Sequence, residues 1–189
     1  MNDGLRWLRR SIMCGVFFLA VPHGFGVDSV LAASVASYPQ DWHSWPVVKE
    51  SMVPAADVVL PPDTPLFIQE TVKAYNWIND GKGTKLTIHV HPDKLEQFKT
   101  HGPYSDGPTA VGVYESPDVV FVTEHLAGEA IYGTYDSHGK DISDTHKEFT
   151  PQFCTGCHDA YKDICINGTC ATPVIDLFEK TSTALKPAQ

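Results

Sequence analysis

The chain has 189 residues, 42% of them hydrophobic and 20% charged, with a formal net charge of -9 at pH 7. That is enough apolar material for one packed domain, and the acidic balance argues against nucleic-acid binding, which draws on a basic surface. Acidity of this kind suits solubility and cationic redox or substrate partners, and no internal repeat divides the chain.

Residues 1–36 read as a secretory signal peptide. Arg6, Arg9 and Arg10 form a basic start, SIMCGVFFLA at 11–20 an apolar middle, and Leu31-Ala32-Ala33-Ser34-Val35-Ala36 a small-residue end. Cleavage after Ala36 is preferred, and cleavage after Ala33 is the alternative. Pro22, His23 and Gly24 interrupt the apolar run, which disfavours a membrane-spanning helix of about 20 residues. The expectation is a periplasmic protein with one domain over 37–189.

Within that domain, Ser44 followed by residues 45–52 predicts a short N-capped helix, and 66–79 a second helical stretch. Alternation of apolar and polar residues at 86–90 (LTIHV), 109–114 (TAVGVY), 119–123 (VVFVT) and 130–135 (AIYGTY) predicts strands. A short helix fits 92–100, with Pro92 at its first position and Asp93 in its first turn. Turns rich in glycine, proline and aspartate at 102–108, 116–118 and 127–129 separate the strands closely enough for an antiparallel meander. A further helix fits 173–185. The fold class expected is mainly β (α+β): an antiparallel meander sheet with short peripheral helices and a C-terminal haem-binding segment.

That last assignment rests on Cys154-Thr155-Gly156-Cys157-His158, the C-x-x-C-H attachment sequence of a c-type haem. Two thiols add to the haem vinyl groups, and the adjacent histidine reaches the iron, so one covalently attached haem c is expected on Cys154 and Cys157 with His158 as iron ligand. In a reducing compartment, Cys154, Cys157, Cys165 and Cys170 read instead as a zinc knuckle, C-x2-C-x7-C-x4-C. Export shifts the balance, because Cys165 and Cys170 are then left as an even pair in an oxidising space. Asn167-Gly168 lies between them and favours a tight turn, which predicts a Cys165–Cys170 disulfide.

The motif lies near the C-terminus and no methionine follows it, unlike most small electron-carrier cytochromes. The opening YPQDWHSWPVVK at 38–49 resembles that of the cytochrome P-460 family, which includes the β-sheet cytochromes c-prime. The resemblance continues through Pro65-Leu66-Phe67, the strand and helix at 86–101, the Tyr104-Ser105-Asp106-Gly107 turn, the strand Tyr132-Gly133-Thr134-Tyr135, and the terminal C-x-x-C-H. It implies an antiparallel β fold, commonly a homodimer, with one c-type haem that has histidine on one face and an apolar, often vacant, second face. Some members carry a lysine-to-porphyrin cross-link and oxidise hydroxylamine or related compounds. Others lack it and bind nitric oxide or carbon monoxide.

Lys94 and Lys99 are the cross-link candidates on this reading, and Phe98 and Phe121 the candidates for the wall of the distal pocket, where bulky aromatics exclude water. Six histidines, His89, His91, His101, His125, His138 and His146, are candidates for a second iron ligand. His89 and His91, two residues apart, also suggest a metal-binding pair on one strand face. Glu96, Glu124 and Asp106 are candidate proton acceptors if the protein is a haem oxidoreductase acting on hydroxylamine or nitric oxide. The function expected is binding or conversion of small gaseous or nitrogenous ligands with an external redox partner protein. The alternative is an electron-transfer cytochrome with both axial positions filled by the protein.

Overall fold

The computed structural model describes residues 35–170. The apolar run at 11–20 and the helix expected at 173–185 lie outside the described residues.

Five strands form one sheet: β1 (Val47–Val53), β2 (Thr84–Val90), β3 (Gly107–Tyr114), β4 (Val119–Leu126) and β5 (Glu129–Tyr135). Spatial order follows chain order, and every neighbouring pair is antiparallel. The meander expected from the alternation is therefore present, with one strand more than the four foreseen.

The extra strand corrects the helix expected over 45–52. Ser44 does not cap a helix there; its hydroxyl donates to the Asp41 carbonyl and closes a 3-10 turn at Trp42–Ser44. The chain then runs extended as β1, paired to β2 alone at the sheet edge. An edge strand with Val47 and Met52 half exposed has little of the inward-outward alternation that marks a strand in sequence.

Three α-helices accompany the sheet. α1 (Leu66–Tyr75) begins after Pro65 and ends earlier than expected, because Asn79 and Asp80 adopt left-handed φ values of 56° and 53° in the turn that follows. α2 (Leu95–Lys99) continues a 3-10 turn at Pro92–Lys94, as the Pro92 and Asp93 signals foretold. α3 (Pro151–Ala160) has Pro151 at its first position, and its N-cap Thr150 accepts the Phe153 N–H.

Strand alternation divides the sheet into two faces. Val111, Val120, Val122 and Tyr135 pack on one side with Ala36, Trp42 and Trp45. On the other side β2, β3 and β4 turn Leu86, Tyr114 and Phe121 toward Tyr75 of α1 and Phe149, just before α3. α1 packs in turn on the segment after α3 through Phe67, Ile68, Val72 and Cys165. One sheet face and the helices α1 and α3 thus stand opposite each other.

A disulfide joins Cys165 to Cys170, as expected, and encloses a turn in which Asn167 and Gly168 have φ values of 48° and 75°. Gly168 is obligatory there, since an added Cβ would lie 2.2 Å from the Ala130 Cβ. His125, 1% exposed, ties this loop to the sheet: Nε2 donates to the Asn167 carbonyl at 2.8 Å, and Nδ1 lies 2.7 Å from Thr109 Oγ1. The ring stacks obliquely on Tyr104, whose hydroxyl bonds Thr169.

Burial holds the His125 ring below the ordinary histidine value, an effect partly offset by the Asn167 carbonyl. The unfolded chain therefore binds more protons, and stability falls as pH drops through the ordinary histidine range. Replacing His125 with Phe removes this titration and leaves the Asn167 carbonyl without its donor. Urea unfolding is expected to show a loss of about 1–3 kcal/mol at pH 7.5 and a shallower fall in stability toward pH 5 than in the native protein.

Candidate cofactor site

α3 carries the C-x-x-C-H residues at helical positions i, i+3 and i+4, which puts Cys154, Cys157 and His158 on one face. That face is turned inward: Cys154 is buried and Cys157 and His158 are partly buried, whereas Thr155, Gly156 and Asp159 are exposed. The sequence showed the motif without showing that it lies on a helix, because two cysteines and a glycine give no apolar helical stripe.

All three side chains open onto a cavity of about 150 Å³ whose other walls include Phe67, Thr71 and Tyr75 of α1 and Phe121 and Thr123 of β4. A second cavity, of about 240 Å³, shares Phe67, Thr71, Tyr75, Phe121, Thr123 and His158 with the first and extends over the sheet to Leu86, Ile88 and Phe98. The sheet supplies this floor through its register. Leu86 faces Tyr114, Ile88 faces Gly112, Gly112 faces Phe121, and Ala110 faces Thr123, so these residues share one face of three adjacent strands.

Gly112 sits in the middle of that floor. A Cβ there would meet the Ile88 and Leu86 Cδ1 atoms at 3.3 Å, so a larger residue would project into the cavity between them. Leu86, Ile88 and Phe121 of the sheet and Phe98 of α2 are each only partly covered, because part of their surface faces the cavity. An apolar hollow with few convergent polar groups is the usual form of a cofactor or small-molecule site.

Electrostatics keeps the ligating groups neutral. Burial lowers His158 to about 4, outweighing the Gly168 carbonyl and Asp159, so at neutral pH the ring is an uncharged imidazole with a lone pair to offer. Burial also pushes the Cys154 thiol up to about 12 and raises that of Cys157, which holds both as thiols rather than thiolates. Tyr75 and Tyr114, which line the larger cavity, are likewise held protonated by burial and stay hydrogen-bond donors.

The residues therefore fit a covalently held tetrapyrrole: two neutral thiols and a neutral imidazole on one wall, facing an apolar floor. They do not fit the zinc knuckle. Among the described residues, the one group of potential metal ligands within mutual reach is His158, Cys165 and Cys170, and both of those cysteines are spent in the disulfide.

Of the candidate pocket residues, Phe98 and Phe121 both line the larger cavity. The two cross-link candidates do not. Lys94, 5% exposed, points into the 105–106 turn, where its Nζ donates to the Ser105 carbonyl at 2.6 Å and the Asp106 carbonyl at 2.9 Å. Lys99 is a surface residue paired with Glu96 at 2.5 Å. The lysine that lines the cavity is Lys49 on β1, opposite Ile88. It escaped notice because β1 itself read as a helix.

His158 is the one histidine among the residues lining either cavity. His89 bonds the Trp45 carbonyl and His91 accepts from the Asp93 N–H, so the proposed pair of metal ligands is engaged separately, each against its own tryptophan. His125 serves the disulfide loop, His101 accepts the Asn167 side chain through its carbonyl, and His146 pairs with Glu148 while stacking on Trp77. His138 belongs to the turn around Asp136. The three candidate carboxylates also lie elsewhere: Glu96 on Lys99, Glu124 on the Ser37 N–H, and Asp106 on the Ala127 N–H. Met52, on the edge strand, is absent from the lining as well. Tyr75, Tyr114, Thr71 and Thr123 are lining residues that the sequence did not single out.

No family model, curated protein or solved structure matches this chain.

The contrast between the two lysines is open to direct measurement. Lys94→Ala removes a buried side chain and the donor shared by the Ser105 and Asp106 carbonyls, and is expected to lower unfolding stability by about 1–3 kcal/mol. Lys99→Ala is expected to leave the urea midpoint unchanged.

Proposed function

We propose that this chain is an exported monohaem cytochrome of the P-460 type that binds a small nitrogenous ligand such as nitric oxide. The observation that carries the reading is the inward face of α3, which brings Cys154, Cys157 and His158 to the wall of a largely apolar cavity lined, among the described residues, by neither a second histidine nor a methionine. Bound there through both cysteines, a haem c would supply an iron centre that takes a small ligand and exchanges electrons with a partner.

The chain's own residues set the selectivity. His158 presents a neutral ring nitrogen as the proximal ligand. Phe98, Phe121, Leu86 and Ile88 exclude water, Lys49 brings the one charged side chain, and among the described residues no carboxylate lines the cavity to accept a proton from a substrate. Tyr75, Tyr114, Thr71 and Thr123 offer neutral hydroxyl groups. This lining favours holding a neutral diatomic over oxidising hydroxylamine, for which a proton acceptor is needed. It also weighs against the electron carrier with two protein ligands, because among the described residues no histidine besides His158 lines the cavity.

Export follows from the signal-like start, and the fold bears on where processing occurs. Ala36 is 1% exposed; its N–H and that of Val35 donate to the Tyr132 carbonyl, and its carbonyl accepts the Tyr135 hydroxyl. Cleavage after Ala33 keeps these contacts, so intact mass is expected to give Ser34 as the first residue of the mature protein. A mature chain starting at Ser37 would refute this.

The functional test is the absorption spectrum of holoprotein matured in a host that attaches c-type haem. The reduced protein is expected to be high-spin and to shift on addition of nitric oxide, with His158→Ala losing the normal proximal spectrum. A low-spin reduced spectrum indifferent to the gas would defeat the open-site reading.

A further inference from the structure

The disulfide loop does more than close the C-terminal end of the described chain, because it lies directly behind the histidine of α3. His158 Nδ1 is 3.7 Å from Cys170 Sγ, within hydrogen-bonding range of the sulfur. The loop is fixed beside the ring: the Gly168 carbonyl accepts the Tyr132 hydroxyl at 3.2 Å, and the Gly168 N–H donates to the Cys165 carbonyl across the loop. Tyr132 in turn packs its ring 4.7 Å from that of His158. A ligating histidine whose second nitrogen is engaged by the protein is held in one tautomer and orientation.

The turn itself is local to Asn167-Gly168, and hydrogen bonds from His125 and Tyr132 and one between Tyr104 and Thr169 anchor the loop to the sheet side. What the ring closure adds is the position of Cys170, whose sulfur it ties to the buried Cys165. The covalent link removes most of the alternatives from the chain's repertoire. Cys165 is 2% exposed whereas Cys170 is partly exposed, so the sulfur open to attack is the one beside the histidine.

We propose that the Cys165–Cys170 bond is a redox-sensitive clasp that positions His158, holding Cys170 Sγ and the loop behind it against the ring when oxidised and releasing them when reduced. This rests on the haem reading above. The reductant is a dithiol. One of its thiolates bonds to Cys170 Sγ as Cys165 leaves and takes up a proton. The second thiol of the reductant then displaces Cys170, which is also protonated. The protein gains two electrons and two protons, and the reductant becomes a disulfide. Once the clasp opens, the ring loses its contact with Cys170 Sγ and samples more than one orientation, so that as an iron ligand it would be held less firmly.

Resonance Raman spectroscopy of the ferrous holoprotein reads this directly through the iron–histidine stretching band, with thiol counting by alkylation on the same samples. Treatment with dithiothreitol is expected to expose two new thiols and to move the band to lower frequency with broadening. Reoxidation should restore it. The Cys165→Ser, Cys170→Ser holoprotein should match the reduced native protein without any reductant; if that variant fails to mature, titration of the native protein with the dithiol decides alone. Two new thiols with an unmoved band would overturn the clasp, since the loop would then be held by its hydrogen bonds. A purified chain with no tetrapyrrole mass would overturn the site reading and the clasp together, so the two failures are told apart by mass before any band is recorded.

Discussion

A glycine in the middle of the central strand is the constraint on which the site depends. Gly112 pairs with Ile88 on one side and Phe121 on the other, and in place of a side chain it leaves open floor between them. With any β-branched residue there, β2, β3 and β4 would present a continuous apolar surface, and α1 and α3 would have to close on it as on an ordinary core. Instead the helices stand away from the sheet, and the hollow they leave is lined by partly covered aromatic and aliphatic side chains. The same register continues to Lys49 at the edge strand and Thr134 on β5, so one row of residues runs the width of the sheet beneath the cavity.

The wall opposite this floor is set by local chemistry. Thr150 and Pro151 start α3 at a fixed point, and from there helical geometry alone determines that Cys154, Cys157 and His158 share a face. Behind the helix, His125, Tyr104 and Tyr132 hold the disulfide loop in place, and the loop holds the histidine. Cys154 and Cys157 are kept as neutral thiols and His158 as a neutral ring by the same burial, which suits covalent attachment and iron ligation together and disfavours a thiolate metal centre.

Much of this was legible in the chain. The patterning at 86–90, 109–114, 119–123 and 130–135 marked strands, and those strands are present, packed on both faces of the sheet. The Asn167-Gly168 turn foretold the disulfide because the left-handed conformation it needs is a local property. Where the reading failed, the deciding physics was not local. β1 lies at an edge where Ser51 is buried while Val47 and Met52 are half exposed, so its apolar residues do not trace its buried face. Lys94 is a lysine with the spacing of a solvated helix residue, yet the 105–106 carbonyls draw it inward. Which lysine, histidine or carboxylate reaches the cavity depends on register across four strands, and that is fixed only when the sheet assembles.

The central claim is that the inward face of α3 carries a covalently bound tetrapyrrole. Mass spectrometry of the proteolytic fragment spanning Thr150 to Lys162, from protein matured in a host that attaches c-type haem, tests it most directly. The account predicts one tetrapyrrole mass on that fragment with both Cys154 and Cys157 resistant to alkylation. Two alkylatable thiols, or a Cys154–Cys157 disulfide with no added mass, would contradict it.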